Sequence, residues 1–322
     1  MSISNIEISI SKLKEFLTKL TSLGNIDLSL LIGQDVGSST LLEEIARGTM
    51  GAVFAGYQKT LKRHIAIKVL PKSIITPLTA KIFQQEAELA ARLSHPNIIP
   101  VYEVGDTEDF LFLSMQLVKG KPLSEYIQNS RKNLLPSNRT LPLNLTFKNI
   151  ISILDALDFA HRNSIVHRDI KPGNILIEGN NERPIIVDFG LAMITQKPDD
   201  TASIIVGTPL YMAPEQILNS EVDGRADIYA AATMLYEMLT PIPLFPDIDS
   251  STELLKMKLE RKDNLFIKMP SEINPNLNKQ IDIILFKALA SDPENRYRTC
   301  HEFRVDLEQY FEKYHGKLDG SR

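Results

Sequence analysis

The residues of this chain that could do chemistry are concentrated in the run HRDIKPGN at 167–174, which is followed by DFG at 188–190. The first run places an aspartate, a lysine and an asparagine on one short loop, and the second adds another aspartate. One carboxylate can orient a hydroxyl, the lysine can neutralise a moving phosphate, and carboxylate and amide oxygens can bind a divalent metal. The residue types and their order therefore indicate a site for phosphoryl transfer.

The bulk properties of the chain are those of an ordinary globular protein. Its 322 residues, 43% hydrophobic and 24% charged, suit two domains or one domain with two lobes. A net charge of −4 argues against a nucleic-acid partner, which would require a basic surface. The single cysteine, Cys300, excludes an intrachain disulfide and fits a reducing compartment, so we expect a cytoplasmic protein.

No targeting or membrane-spanning segment is expected. The first twenty residues lack a basic stretch ahead of a continuous apolar core, as a secretory signal would have. The most apolar long stretch, Ile228 to Phe245, contains Glu237 and several prolines, so it predicts a buried helix. Near the start of the chain, apolar residues at helical spacing predict a short amphipathic helix that packs on the main domain or on a neighbouring chain: Leu13, Phe16, Leu17, Leu20 and Leu23.

The elements that must position the motifs follow from periodicity. LLEEIA and AVFAGYQ flank a glycine turn, HIAIKVL alternates as a strand does, and FLFLSMQLV at 110–118 is typical of a buried strand. One helix is predicted over Ile82 to Leu93. From Leu123 onward helical patterns dominate, interrupted at 129–146 by a polar stretch that predicts a surface insertion.

Taken together, these motifs resemble the Hanks-type serine/threonine protein kinases, and GTPLYMAPEQ at 207–216 is most similar to their bacterial branch. The resemblance implies an α+β, bilobal kinase fold, with a mostly β N-lobe that carries one regulatory helix and a mostly α C-lobe. The implied domains are an N-terminal helical extension at 1–40, the N-lobe at 41–117, the C-lobe at 118–312 and a tail at 313–322.

The resemblance assigns roles to the residues of the two motifs. Asp169 would orient the acceptor hydroxyl, and Lys171 would neutralise charge on the γ-phosphate as it transfers. Asn174 and Asp188 would hold Mg²⁺, with Mn²⁺ as the alternative ion. His167 is expected to be structural.

The resemblance also implies an ATP site. ARGTMGAV at 46–53 matches the family's glycine-rich turn, except that Ala46 stands at its first glycine. Lys68 would hold the α- and β-phosphates and pair with Glu86, with Glu88 as the rival partner. The other implied contacts are Gly48 and Gly51 at the phosphates, Val53, Ala66 and Leu176 around the adenine ring, Met115 behind it, and the backbone of Gln116 and Val118 at its edge.

Arg168 and the activation loop, the segment between Gly190 and Ala213, suggest regulation by phosphorylation. Arg168 lies beside the catalytic aspartate, and in the family an arginine there binds a phosphorylated residue of the activation loop. We predict autophosphorylation at Thr201, Ser203 or both, with a homodimer as one route to phosphorylation in trans. Thr208 is implied to favour serine or threonine acceptors.

Two further matches concern the fold. Glu215 is expected to pair with Arg296, and Asp227 is expected to bond the backbone of the catalytic loop.

The expected activity is ATP- and Mg²⁺-dependent phosphorylation of serine or threonine in protein substrates. The alternatives are a pseudokinase that serves as a scaffold or nucleotide-binding module, and a kinase of small molecules. Pseudokinases usually lose at least one of six residues, and this chain retains all of them: Lys68, Glu86, Asp169, Lys171, Asn174 and Asp188. APE at 213–215 and DPENRY at 292–297 favour a platform for protein substrates.

Overall fold

The computed structural model describes residues 28–48, 51–74, 77–135, 139–179, 182–189, 209–218, 221–245, 250–261 and 268–318. The expected N-terminal helix and the candidates Thr201, Ser203 and Thr208 lie outside these residues, as does the side chain of Glu86. The chain divides into two compact units. Among the described residues, the first unit contains 28–94, 99–119 and Phe189, and the second contains the rest.

The first unit is built on an antiparallel sheet with the strand order β1-β2-β3-β4-β6-β5. Its strands are β1 Asp35–Val36, β2 Ser39–Gly48, β3 Gly51–Gln58, β4 Arg63–Pro71, β5 Val101–Asp106 and β6 Phe110–Gln116. Because side chains alternate along a strand, Phe54, Ile67 and Phe112 fall on one face and form a buried cluster with Leu28 and Leu41. Strands β1 and β2 begin before residue 41, where the sequence pattern placed the start of the N-lobe.

The other face of this sheet carries helix α1, Pro77–Ala90. Phe83 and Ala87 of α1 pack on Leu70, Leu111 and Leu113 of the sheet. The helix begins before the expected Ile82, because a proline is tolerated in the first turn, where its missing N–H has no helical acceptor. The apolar periodicity starts only later in the helix, so the sequence did not reveal its first turn.

The second unit contains a small antiparallel sheet and the remaining helices. The sheet has the order β7-β8-β9, with β7 Gly120–Pro122, β8 Ile175–Glu178 and β9 Arg183–Ile186. The helices are α2 Leu123–Arg131, α3 Leu143–Arg162, α4 Pro214–Ile217, α5 Arg225–Leu239, α6 Ser251–Arg261, α7 Pro270–Ile273, α8 Lys279–Ala288 and α9 Cys300–His315.

Helix α5 lies at the centre of the second unit. Every residue from Ala226 to Leu239 is buried, as expected for the apolar stretch that begins at Ile228. Within the described residues, no helix is both long and apolar enough to cross a bilayer. The polar insertion expected at 129–146 is shorter than predicted, because α2 continues to Arg131 and α3 begins at Leu143.

A short segment, residues 95–98, belongs to the second unit although the chain on both sides of it belongs to the first. The Asn97 side chain donates to the Pro184 carbonyl at 2.7 Å, and the Asn97 carbonyl accepts from the N–H of Ile186 at 2.8 Å. Asn97 thereby holds β9, which leads directly into the DFG motif.

Candidate active site

The catalytic-loop residues identified from the sequence converge on one carboxylate. Lys171 Nζ donates to Asp169 Oδ2 at 2.7 Å. The Asn174 side-chain amide donates to the same oxygen at 3.0 Å and to the Asp169 carbonyl at 2.8 Å. Because Nδ2 of Asn174 is the donor in both bonds, its Oδ1 can serve as an oxygen ligand. The loop thus presents an oriented carboxylate, an adjacent cation and an amide oxygen.

His167 is a structural residue of this loop, as expected from the sequence. Its side chain is completely buried. Nδ1 accepts from the N–H of Asp169 at 3.2 Å, so Nε2 carries the proton and donates to the Val187 carbonyl at 2.9 Å. The imidazole therefore ties the backbone of Asp169 to the residue that precedes Asp188.

Asp227, at the start of α5, bonds the backbone of the catalytic loop, which confirms the expectation. It is fully buried, and its two oxygens accept from the N–H of His167 at 2.8 Å and of Arg168 at 2.7 Å. A third bond, from His161 Nε2 at 2.8 Å, reaches the same carboxylate. Burial alone would raise the pKa of Asp227, but the hydrogen bond that His161 donates holds it below its ordinary value.

The chain of contacts behind Asp227 continues to the C-terminal helix. Because Nε2 of His161 donates to Asp227, its Nδ1 can accept from the Cys300 thiol, whose Sγ lies 3.7 Å away. Cys300 is completely buried at the first position of α9, and burial raises the pKa of its thiol well above the ordinary value. The only cysteine of the sequence is therefore a protonated structural residue.

Two residues of the site adopt left-handed backbone conformations that side chains other than glycine rarely take. Arg168 has φ 64° and Asp188 has φ 62°. Each such conformation costs about 1 kcal/mol or more. The Arg168 N–H bonds Asp227, and its carbonyl accepts from Gln216 Nε2 at 2.9 Å, so both sides of the strained peptide are held.

In the first unit, the structure places three residues of the implied ATP site on one sheet face. Val53 of β3 pairs directly with Lys68 of β4, and Ala66 pairs with Met115 of β6. Side-chain alternation therefore puts Val53, Ala66 and Lys68 on one face. Helix α1, which carries Glu86, packs on that same face through its neighbouring residues. The Lys68–Glu86 pair itself stays a prediction.

The remaining residues of the implied nucleotide site lie on or next to β2, β6 and β8. Ala46 is exposed on β2 and pairs with Val53. Gln116 ends β6, and its N–H bonds the Pro100 carbonyl at 3.1 Å, while its own carbonyl remains the group expected to accept from adenine. Val118 follows outside regular structure, and Leu176 is half-buried on β8, opposite Ile185. Each of these assignments stays a prediction.

The end of the activation segment is fixed by a buried ion pair. Arg296 Nη1 and Nη2 bond the two oxygens of Glu215 at 2.6 and 2.8 Å, which confirms the expected pair. The arginine is completely buried and also donates to backbone carbonyls, including that of Ala290 at 2.6 Å. A bidentate pair with its remaining donors bonded is the arrangement in which a buried salt bridge holds geometry well.

Sequence reasoning missed the side chains that attach the residues just before Glu215. Tyr211 donates to Glu237 on α5, and Gln216 joins the segment to the Arg168 carbonyl. Lys258, on α6, donates to two carbonyls of the same segment. One signal was available for Lys258, because it stands on the apolar side of its helix with Leu254 and Leu255.

We predict that Asp227→Asn lowers the free energy of unfolding by about 3 kcal/mol, because an amide offers one acceptor oxygen to three donors. The folded-state pKa of Asp227 is lowered from 3.8, so its stabilisation is complete above that value and is lost as pH falls through the folded pKa. Denaturant titrations between pH 3 and 8 should show the gap to wild type narrowing only at the acid end.

The control for this prediction is Asp223→Asn. Asp223 is 58% exposed and pairs with Arg225 on the surface, so its loss is expected to cost less than about 1 kcal/mol. A cost for Asp227→Asn no greater than that of the control would contradict the role of Asp227.

We predict opposite effects for the same substitution at two glycines of the turn. A Cβ on Gly51 would lie 2.0 Å from the Val69 carbonyl oxygen, so Gly51→Ala must displace β4 and should cost about 1–3 kcal/mol. A Cβ on Gly48 would meet nothing closer than 3.8 Å, so Gly48→Ala should stay within about 0.5 kcal/mol of wild type. Thermal melts of the two variants test this directly, and equal losses would refute the assignment of Gly51 to strand packing.

Comparison with known proteins identifies the family. A family model described as the protein kinase domain matches residues 39–306. The chain is 35% identical over 274 residues to a probable serine/threonine-protein kinase of Streptomyces coelicolor and 34% identical over 284 residues to the serine/threonine-protein kinase Pkn1 of Myxococcus xanthus. These matches cover 82% and 86% of this chain but 38% and 39% of those proteins. The chain thus spans less than half the length of these two relatives.

The fold comparison agrees with the sequence comparison. Crystal structures of the Mycobacterium tuberculosis PknI kinase domain are 25% and 26% identical to this chain, with a TM-score of 0.66. They cover 87% of this chain and 98% of the PknI chains. A match over most of the chain in sequence and in fold, around a loop that brings Lys171 and Asn174 onto Asp169, shows that this chain belongs to the protein kinase family.

Proposed function

We propose that this chain is a serine/threonine protein kinase that transfers the γ-phosphate of ATP to hydroxyls of protein substrates. The observation that carries the proposal is the convergence of Lys171 and Asn174 on Oδ2 of Asp169. A phosphoryl group needs little covalent help, and its transfer depends on positioning and on charge stabilisation. The relatives named above, which are serine/threonine-protein kinases, support the choice of acceptor.

In the proposed reaction, Asp169 orients the acceptor hydroxyl and takes up its proton as the phosphoryl group moves. Lys171, half-buried beside it, supplies a positive charge within reach of the transferred group. Neither residue has to rearrange before the reaction, because the side chains of Asn174 and His167 already bond the backbone of Asp169 and hold the loop. This preorganisation is the main contribution that the described residues make to the rate.

The residues also suit a magnesium ion, which the proposal requires. The Asn174 oxygen and the Asp188 carboxylate are hard ligands of the kind that Mg²⁺ and Mn²⁺ prefer, and nucleotide phosphates complete such a site. The positive φ of Asp188 sets the direction in which its side chain leaves the backbone. When bound, the ion supplies charge neutralisation on the phosphates.

We further propose that the enzyme phosphorylates itself on the segment between Gly190 and Ala213, in trans between two copies of the chain. Four hydroxyl residues in this segment are candidate acceptors: Thr195, Thr201, Ser203 and Thr208. Arg168 supports this proposal, because it directly precedes the catalytic aspartate in the sequence and an arginine is well suited to a phosphate.

We predict that Asp169→Asn reduces phosphate incorporation by at least about 10²-fold, because the amide cannot take up a proton. The assay uses labelled ATP with a generic unstructured acceptor such as casein, and phosphoamino-acid analysis should detect phosphoserine or phosphothreonine without phosphotyrosine. Chelation of divalent metal should abolish the reaction, and Mg²⁺ or Mn²⁺ should restore it. Asp155→Asn, on the exposed surface of α3, is the matched control and should retain wild-type activity.

Two results would contradict this prediction. Wild type without incorporation on any protein acceptor would favour a nucleotide-binding module or a kinase of small molecules. Incorporation by Asp169→Asn equal to that of wild type would mean that the label comes from a contaminating enzyme or from another site.

We predict that wild type incubated with Mg·ATP acquires phosphate on Thr201, Ser203 or both, whereas Asp169→Asn does not. Peptide mass spectrometry locates the modification, and the double variant Thr201→Ala with Ser203→Ala should lose most of it. Thr195→Ala is the control within the same segment. An active preparation that carries phosphate on neither Thr201 nor Ser203 would refute the assignment.

A further inference from the structure

A lysine is fully buried in the second unit, away from the catalytic loop. Lys258 lies on α6 with none of its surface exposed. Its Nζ donates to the Leu210 carbonyl at 2.6 Å and to the Met212 carbonyl at 2.8 Å. The rings of Tyr229 and Phe245 lie beside it, with centroids 5.1 and 4.7 Å from Nζ. The described hydrogen bonds of Nζ are thus both to backbone carbonyl oxygens, and two aromatic rings lie close to it.

This environment is costly for a charge, so the position of Lys258 requires a reason. Burial holds the pKa of Lys258 well below its ordinary value, the charge of Arg296 acts in the same direction, and Glu215 opposes both. The ammonium and the neutral amine can each donate two hydrogen bonds, so the two carbonyls are bonded in either form. A methionine would fill the same space without the cost, so the two donors distinguish lysine here.

The acceptors explain why donors are needed. Residues 209–213 lie outside helices and strands. The Ala213 carbonyl accepts from the first turn of α4, whereas the carbonyls of Leu210 and Met212 accept from Lys258. The carbonyls of Leu210 and Met212, two residues apart, both lie within reach of the one amine. Buried carbonyls without donors would cost free energy, so the two hydrogen bonds from Lys258 stabilise this irregular conformation.

The segment bonded by Lys258 borders the catalytic loop. Tyr211, between the two bonded carbonyls, donates to Glu237 on α5, which also accepts from Arg131 at 3.3 Å. Gln216, shortly after them, donates to the carbonyl of Arg168, the residue before Asp169. A shift of residues 209–213 would therefore move the surface beside the catalytic carboxylate.

We propose that Lys258 is a positioning residue that fixes residues 209–213 beside the catalytic loop and thereby sets the affinity of the enzyme for its protein acceptor. This inference rests on the proposed kinase activity. It separates acceptor binding from ATP binding, because Lys258 contacts neither the catalytic loop nor the residues assigned to ATP. Lys258 acts through the backbone of Leu210 and Met212 and touches no reacting group.

The test compares Lys258→Met, which keeps length and apolar packing but removes the donors, with Lys258→Gln, which keeps N–H donors. Lys256→Met is the matched control, because Lys256 is on the same helix and 61% exposed. Steady-state kinetics are measured with casein and with ATP varied separately. For Lys258→Met we expect the acceptor KM to rise about tenfold while the ATP KM stays within about twofold.

Two further measurements separate positioning from loss of structure. Thermal melts should show little net change for Lys258→Met, because removing a costly buried amine offsets the loss of the two hydrogen bonds to the carbonyls. Hydrogen exchange at the amides of residues 210–213 should nevertheless accelerate at least about fivefold. Lys258→Gln should recover part of the acceptor affinity, and Lys256→Met should match wild type throughout.

The outcomes distinguish this inference from the proposed function. Wild type without protein kinase activity would overturn the proposed function. In that case, unchanged amide hydrogen exchange at residues 210–213 in Lys258→Met would separately overturn the positioning role. An active wild type with an unchanged acceptor KM in Lys258→Met would overturn the inference alone. Equal rises of both KM values, or a melt lowered in proportion to the lost activity, would reduce Lys258 to a general structural residue.

Discussion

The buried carboxylate of Asp227 is the constraint on which the rest of the site depends. It accepts two consecutive backbone N–H groups of the catalytic loop, and the second belongs to Arg168, whose φ of 64° is unfavourable for a residue with a side chain. The loop needs that turn in order to present Asp169 and Lys171 together. An ionised carboxylate makes stronger hydrogen bonds to N–H groups than a neutral acceptor does, so it can offset strain that a carbonyl could not. His161 keeps it ionised despite complete burial.

The segment before α4 follows the same physical logic with different partners. Its backbone has no ladder of hydrogen bonds of its own, so side-chain bonds attach it and the start of α4. Tyr211 of the segment donates to Glu237 on α5, Lys258 of α6 donates to carbonyls of the segment, and Glu215 of α4 binds Arg296. Buried polar side chains contribute little net stability, because their desolvation offsets most of the attraction. They do specify geometry, since each bond has a direction. For the proposed binding of a protein acceptor, a surface without a regular strand or helix requires such directional attachment.

The sequence predicted the site better where its residues are contiguous than where they are dispersed. Asp169, Lys171 and Asn174 occupy one short run, so their mutual proximity follows from chain connectivity alone. The roles of Asp227 and Glu215 came from the resemblance, since nothing in their local spacing indicates the partner. The apolar side of its helix could have marked Lys258 as buried, but its partners could not be predicted, because they are backbone carbonyls, which every residue has. The same limit applies to the fold: alternation located the strands, whereas the first turn of α1 lacks the apolar periodicity that marks a helix.

The glycine-rich turn shows how one motif can combine two independent constraints. Gly48 and Gly51 pair directly across the hairpin, and both match glycines of the family pattern. The space around them differs, because a Cβ on Gly51 would collide with the Val69 carbonyl while one on Gly48 would not. Close packing of β3 on β4 is thus sufficient to require Gly51, whether or not a phosphate approaches. Gly48 has no such steric requirement within the described residues, so the nucleotide contact implied by the resemblance stays the proposed reason for a glycine there. Ala46 is exposed on β2 and already carries a Cβ, so packing within the sheet does not require a glycine at the first position of the pattern.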